Sequence, residues 1–492
     1  MPARVVVVGL DAADPDLMCE LAREGRLPHT AELLRGGPGM RVTNPDGVYV
    51  GAVWPTLSTG TSPGRHGRCW PGRLQPGTYQ IRPFHPSDLG SELLWVPLAR
   101  AGRRVAVVDV PHTQADPELG VTQVGEWGAH DPAVGFHASP PDLADDLVAR
   151  FGRHPVRDCD HYGIEARHEE LVRDLRVGIE RKAELTRHLL DHGDWDLFFA
   201  VFGESHCVGH QCWHVHDRDH PRHDPALAGA MGDPIVDVYE RLDAALGHVL
   251  AGAGRDAEVF VVLSHGMGPH YDGTFLLVDL LRRLELAWHR QPSAWATGRD
   301  RLAHAWNRIA RRAGLRPPRT WLLDGSRPFV RAPNAGLCGA IRLNVVGREP
   351  AGVVAPGQEY EELCSALEAE FLSVVNVETG EPAVRRVLRP AELFDGPEVA
   401  RMPDLLVEWR QESPIRSLAS PTVGRLDGEF PGHRTGDHRR DGLLLRRGPT
   451  MAACPEESVD ARDLAPTIHA LLDVPVAHPE GRPLTPVGDP GA

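Results

Sequence analysis

The run Ser205-His206-Cys207-Val208-Gly209-His210 places two histidines four residues apart, just after the apolar segment Leu197-Phe198-Phe199-Ala200-Val201-Phe202. On a helix that starts at a strand end, this spacing brings both imidazoles to one face, where they can share a metal ion. Two further strand-and-histidine junctions follow. His265 comes after Val259-Phe260-Val261-Val262-Leu263-Ser264, and His438 stands in Gly436-Asp437-His438, just before Gly442-Leu443-Leu444-Leu445. Asp11 closes the opening run Val5-Val6-Val7-Val8-Gly9-Leu10. Each of these strand ends carries a potential ligand, and open α/β sheets bind at the carboxyl ends of their strands. The pattern is that of a metal site.

Strand-like and helix-like segments alternate through most of the chain, as the positioning of such a site requires. Amphipathic stretches span Pro15–Glu24, Pro28–Arg35, Glu169–His192 and Val236–Ala251, and Arg104–Asp109 reads as another buried strand. Short apolar runs separated by helices imply an α/β fold with a mostly parallel sheet covered on both faces. The rhythm breaks at 271–345, a segment rich in Arg, Trp and Pro. It reads as a cap or insertion that would carry substrate selectivity, or as a solvated surface excursion. Residues 1–270 then form the first part of the core and 346–492 the second. Within 351–415 a small α+β piece is expected, with a helix at Glu359–Leu372 and a strand at Asp404–Glu408.

A chain of 492 residues with 41% hydrophobic and 25% charged residues has ample material for a core. Its net charge of −15 argues against nucleic acids and anionic lipid surfaces as partners, since no basic surplus exists to neutralise phosphates. No apolar run approaches the length of about 18 residues that would span a membrane, and the N-terminus enters a strand without a signal-peptide pattern. A cytoplasmic location is the expectation, with the eight scattered cysteines as buried thiols. A small anionic substrate fits this profile, and a homodimer stays open.

Taken together, the motifs resemble the alkaline phosphatase superfamily, in its type I phosphodiesterase and nucleotide pyrophosphatase branch. The resemblance rests on Gly9-Leu10-Asp11-Ala12-Ala13-Asp14-Pro15, on Val53-Trp54-Pro55-Thr56-Leu57-Ser58-Thr59-Gly60 with Pro63-Gly64-Arg65-His66-Gly67, and on Ser264-His265-Gly266-Met267-Gly268. Gly436-Asp437-His438-Arg439-Arg440-Asp441-Gly442 and the closing Ala465-Pro466-Thr467-Ile468 with Gly481-Arg482-Pro483-Leu484 complete it. It implies an alkaline-phosphatase-like sheet sandwiched by helices, and two zinc-like ions about 4 Å apart that clamp a phosphoryl or sulfuryl group. Asp11, His210, His265 and His438 match the family's ligands, whereas His206 and Ser264 stand where the family has aspartates. Without gaps, Val50 occupies the place of the nucleophilic alcohol; a deletion before Trp54 would nominate Thr56 instead.

These departures have a common chemical sense. His206, His210 and His438 form a set of neutral imidazoles with an open position, the pattern of a catalytic zinc. Asp11 and His265, with Ser264 as a weak donor, would hold a second ion poorly. Hydroxide formed on the metal could replace the missing alcohol, and Glu204 could serve as an added ligand or general base. One or two zinc ions are expected, with iron, manganese or copper as alternatives. His112, His130 and Arg439, together with Arg65 and Arg434, are candidate substrate contacts. His214, His216, His220 and His223 are expected on a solvated loop. Redox or isomerase chemistry at one His-rich metal, and a non-catalytic ligand-binding relative, are the competing readings.

Overall fold

Continuous apolar runs become strands buried on both faces, with successive side chains dealt to opposite layers. In Val5–Leu10, Val6, Val8 and Leu10 enter one apolar layer and Val5 and Val7 the other. Leu197–Phe202 divides in the same way, with Phe198, Ala200 and Phe202 against Leu197, Phe199 and Val201. A period of two within an unbroken apolar run is what a sheet covered on both sides requires. The computed structural model describes residues 4–128, 132–288, 327–334, 338–450, 456–476 and 478–484.

Two units share the chain. The first comprises Met1–His66, His85–His270 and His433–Ala492. Its nine-stranded sheet runs Ser458–Asp460, Met40–Thr43, Gly442–Arg447, Glu258–Leu263, Val5–Leu10, Leu197–Phe202, Val105–Val108, Thr122–Gly125 and His137–Ser139. Only Gly442–Arg447 and His137–Ser139 run against the rest. One layer is built from His168–Asp191, Glu204–His216 and Pro234–Ala253, through residues such as Leu175, Val208 and Leu246. The other draws on Tyr49–Thr59 and Leu464–Leu471, through Val53, Leu57, Ala465 and Ile468.

The second unit comprises Gly67–Phe84 and Tyr271–Gly432. Its longer segment runs from Tyr271 to Gly432 and includes the residues of the expected α+β piece. Its antiparallel sheet orders Phe329–Ala332, Cys338–Leu343, Leu405–Trp409 and Val384–Leu388. The helices Leu277–Ala287 and Gln358–Leu372 supply its core with Leu280, Leu284, Leu367 and Phe371. Most of the Arg- and Trp-rich stretch, 289–326, lies outside the described residues.

One sequence expectation is corrected. His438 does not follow a strand of the central sheet. It lies in Gly436–Arg439, which pairs with Gly266–Pro269 in a separate two-stranded ribbon with Met267 opposite His438. The next strand, Gly442–Arg447, is antiparallel to Glu258–Leu263, with Leu443 opposite Leu263. Its starting end therefore lies beside the finishing end of its neighbour, and this reversal delivers His438 to the rim where the parallel strands end.

A charge is buried in the apolar stripe of His168–Asp191. Lys182 is 1% exposed and puts its ammonium 2.8 Å from Asp109 and 4.0 Å from Glu204. Asp109 also accepts from the backbone N–H groups of Trp127 and Gly128, at 2.7 and 2.9 Å. Burial opposes the lysine's charge, but the two carboxylates outweigh it and raise its pKa. Removing one partner of such a pair leaves the others charged and dry. Lys182→Met is therefore expected to cost about 3–5 kcal/mol in denaturant unfolding of the full chain; an unchanged unfolding midpoint would contradict this account.

Candidate metal centre

The helix Glu204–His216 starts two residues after the strand Leu197–Phe202 ends. Four residues advance a helix by about 40° beyond a full turn, so His206 and His210 lie on one face with ring centroids 4.7 Å apart. The ribbon brings His438 against them, at 4.8 Å from His206 and 4.6 Å from His210. Two glycines permit this approach. A Cβ on Gly436 would stand 2.2 Å from the Gly209 carbonyl, and one on Gly209 would stand 2.7 Å from Met267 Cγ. Small residues at both positions let ribbon and helix touch through backbone.

Hydrogen bonds fix which nitrogens face inward. His206 Nδ1–H donates to Asp11 Oδ2 at 2.7 Å, and His210 Nδ1–H donates to the Gly436 carbonyl at 2.8 Å. Both rings are thereby set in the tautomer that carries its lone pair on Nε2. His210 Nε2 stands 3.1 Å from His438 Nε2, close to the edge of about 3.3 Å between nitrogens of a tetrahedral site with metal–nitrogen distances near 2.0–2.1 Å. One ligand atom each from His206, His210 and His438 lies within 4.8 Å of the others. Among the described residues, the buried His438 Nδ1 has no hydrogen-bond partner. Donor type, tautomer and spacing fit a divalent ion.

Asp11, Ser264 and His265 lie around this triad. Asp11 Oδ1 accepts the Trp54 indole N–H at 2.7 Å and the Ser264 hydroxyl at 2.9 Å, while Oδ2 takes the His206 ring. Ser264 Oγ also accepts from the Ala12 N–H at 3.0 Å. Donors thus occupy both oxygens of Asp11, an arrangement that suits a carboxylate orienting a neighbouring histidine. Burial opposes the Asp11 charge, yet the His206 ring, His265 and the Trp54 indole hold the carboxyl well below its usual range. His265 packs edge-on against His438 with centroids 4.4 Å apart. Burial pushes His265 down to about 4, against the pull of Asp11. Burial, then the neighbouring rings and Arg434, push His438 well below its ordinary value. The lowered value of His438 favours the neutral ring that ligation requires.

The remaining sequence candidates fall as follows. Glu204 precedes His206 by two residues, which turns it about 160° away around the helix. Its carboxylate meets His154 Nε2 at 3.1 Å and Lys182, on the side away from the triad. Val50 sits in the first turn of Tyr49–Thr59, next to Tyr49, whose ring lies 6.0 Å from that of His265. Thr56 is about 9 Å further along the axis, buried, with its hydroxyl 3.1 Å from His66 Nε2. Arg439 spans its own ribbon, donating to the Pro269 and His438 carbonyls, and Arg65 is paired with Glu480. His112 is half-buried, with a left-handed φ of 66°, just past Val105–Val108. His130 lies outside the described residues.

The expectation of a solvated histidine loop is also corrected. His214 is the eleventh residue of the helix and, like His220, is buried. Burial above all pushes both down to about 4; nearby cationic groups, His168 first, add to it at His214, whereas Asp217 opposes it at His220. Cys207 and Cys212 sit in the apolar layer rather than at the triad.

Sequence reasoning passed over Trp54 as a donor to Asp11, Asp160 as an anchor for Arg434, and Lys182. Lys182 had a local signal, a cation in an apolar helical stripe. The other two contacts depend on tertiary pairing alone.

With this geometry in view, kinship can be stated. The profile of the family Type I phosphodiesterase / nucleotide pyrophosphatase matches residues 5–412, and the chain belongs to this family, within the alkaline phosphatase superfamily. That membership places it among hydrolases of phosphoester-type substrates. Phosphonoacetate hydrolase from Sinorhizobium meliloti 1021 in complex with phosphonoformate has a similar structure, with a TM-score of 0.54 at 16% identity, covering 96% of this chain and 95% of that one. Murine ectonucleotide pyrophosphatase / phosphodiesterase 5, as an inactive variant with AMP, gives a TM-score of 0.52 at 14% identity, covering 97% of each chain. Its human counterpart gives 0.51 at 12% identity, again covering 97% of each. No curated protein matches the chain by sequence.

If Asp11 orients His206, as their hydrogen bond suits, Asp11→Asn should weaken affinity for a divalent ion such as zinc by about 10- to 100-fold without abolishing binding. Chelator competition reads the affinity, and complete loss of zinc would make Asp11 a ligand. The depressed histidines also set a pH dependence. Their folded values near 4 lie below the ordinary 6.5, so between these limits the unfolded chain binds more protons. Stability should be complete above about pH 6.5 and fall as the pH drops towards about 4. A denaturant midpoint of metal-free protein that does not change across that window would refute this.

Proposed function

We propose that this protein hydrolyses a phosphoester, phosphodiester or related small anionic group, using a single divalent ion, zinc by the nature of its donors, held by His206, His210 and His438. The observation that carries this reading is the meeting of the three imidazoles, two with their lone pairs turned inward by Asp11 and Gly436. A divalent ion in such a set lowers the pKa of water to about 7 and polarises a phosphoryl oxygen. The side chains do the rest. Asp11 keeps His206 in its ligating tautomer, the Gly436 carbonyl does the same for His210, and His265 covers the triad as a neutral ring.

Water rather than a side-chain alcohol is the nucleophile in this proposal. Val50 has no oxygen to attack with, and Thr56 spends its hydroxyl on His66 deep in the helix. Asp11 and Ser264 bond to each other, which leaves little for a second ion. A cytoplasmic location suits the buried thiols, among them Cys207 hydrogen-bonded to Cys159.

The test is turnover of nitrophenyl phosphate mono- and diesters by zinc-loaded protein. His210→Ala should reduce the rate to background and lower zinc content, while Thr56→Val should leave kcat unchanged. Abolished turnover in Thr56→Val with zinc retained would sink the water nucleophile. Absence of turnover across a broad ester and phosphonate panel would sink the hydrolytic reading.

A further inference from the structure

Beside the triad lies a guanidinium that the proposed reaction has not used. Arg434 donates through Nε to Asp160 Oδ1 and through Nη2 to Asp160 Oδ2, both at 2.8 Å. Asp160 is held in turn by the Gln211 amide at 3.0 Å and the His433 ring at 3.1 Å. Gln211 is the neighbour of His210 on the same helix, and Asp160 sits in the helix Cys159–Ile164. The fork is thus fixed in plane and direction, at little further entropic cost when it binds something. Its remaining nitrogen, Nη1, stands 3.2 Å from His210 Nε2.

That contact has a consequence for ligation. His210 Nδ1 is committed to the Gly436 carbonyl, so the lone pair on Nε2 is the one Arg434 meets and the one an ion would take. His210 Nε2 would hold an ion through the lone pair that Arg434 now meets, so that hydrogen bond would give way to ligation. The N–H group then lies beside a ligand nitrogen, with part of its side chain exposed (29%), and its natural acceptor is an anionic oxygen at the ion's edge. Arg65 and Arg439, the other guanidinium candidates, are turned to Glu480 and to ribbon carbonyls.

We infer that Arg434, positioned by Asp160, binds a non-bridging oxygen of the tetrahedral phosphoryl or phosphonyl group undergoing hydrolysis. The substrate class is therefore one that presents an oxyanion on phosphorus next to the scissile bond. This rests on the hydrolase reading above and adds to it the residue that recognises the charge.

Calorimetric titration of inorganic phosphate into zinc-loaded full-length protein tests it, with zinc content measured on the same samples. Arg434→Gln should retain zinc and bind phosphate about 10- to 100-fold more weakly, the worth of a charge-assisted hydrogen bond. Arg434→Lys should recover part of the loss, restoring charge without the fork. Asp160→Asn should weaken phosphate binding through the loosened fork and raise KM for nitrophenyl esters more than it lowers kcat. Unchanged phosphate affinity in Arg434→Gln overturns the inference, as does loss of zinc in both arginine variants, which would make Arg434 a support of the metal site. If Arg434→Gln does not fold, the lysine and Asp160→Asn variants decide by the same readings. Wild-type protein that neither binds phosphate nor turns over esters would bring down the hydrolase reading itself; an active, phosphate-binding wild type with indifferent variants brings down only the role of Arg434.

Discussion

A carboxylate at the end of the first strand, 6% exposed, imposes the constraint around which the centre is arranged. Such a charge is tolerated away from water only when donors surround it. Those donors come from distant places: the indole of Trp54, the hydroxyl of Ser264 and the ring of His206. Each must be delivered by its own element, which ties the helix Tyr49–Thr59, the strand Glu258–Leu263 and the helix Glu204–His216 to the same few ångströms. Even Gly9 belongs to this arrangement. A Cβ there would lie 2.4 Å from the Trp54 ring and push the indole off Asp11.

Much of the architecture is legible from local pattern. Strands buried on both faces leave unbroken apolar runs, so Val5–Leu10, Leu197–Phe202 and Glu258–Leu263 fall within a residue of where the runs lie. The long helices announce themselves by amphipathic period. The i, i+4 pair His206 and His210 is equally local. What escapes is whatever depends on pairing or direction. The separate ribbon that carries His438 follows from which strands pair, and no residue nearby declares it. Whether Asp11 grips an ion or a histidine depends on where Trp54 and Ser264 end up. Glu204 is a different case: its offset from His206 already implies the opposite helical face, and the helical phase was the signal to weigh.

The exchange of aspartates for His206 and Ser264, and of an alcohol for Val50, changes the charge of the centre more than its shape. With neutral ligands, little of an ion's charge is cancelled by the groups that hold it. Under the proposed reading, the anion of a substrate would then meet a more positive surface. The salt link between Arg434 and Asp160 fits this balance, because it brings a cation to the rim together with its own counter-charge a few ångströms further out. Local neutrality is kept while the inner edge stays positive.

The reversed strand Gly442–Arg447 has one more consequence, in the order of biosynthesis. His210 and His438, whose ring nitrogens meet at 3.1 Å, are 228 residues apart. A growing polypeptide that has released His206 and His210 still lacks their companion until His438 has been made and Gly442–Arg447 has closed against Glu258–Leu263. Assembly of the triad is thereby coupled to closure of the sheet rather than to folding of the helix that carries two of its members.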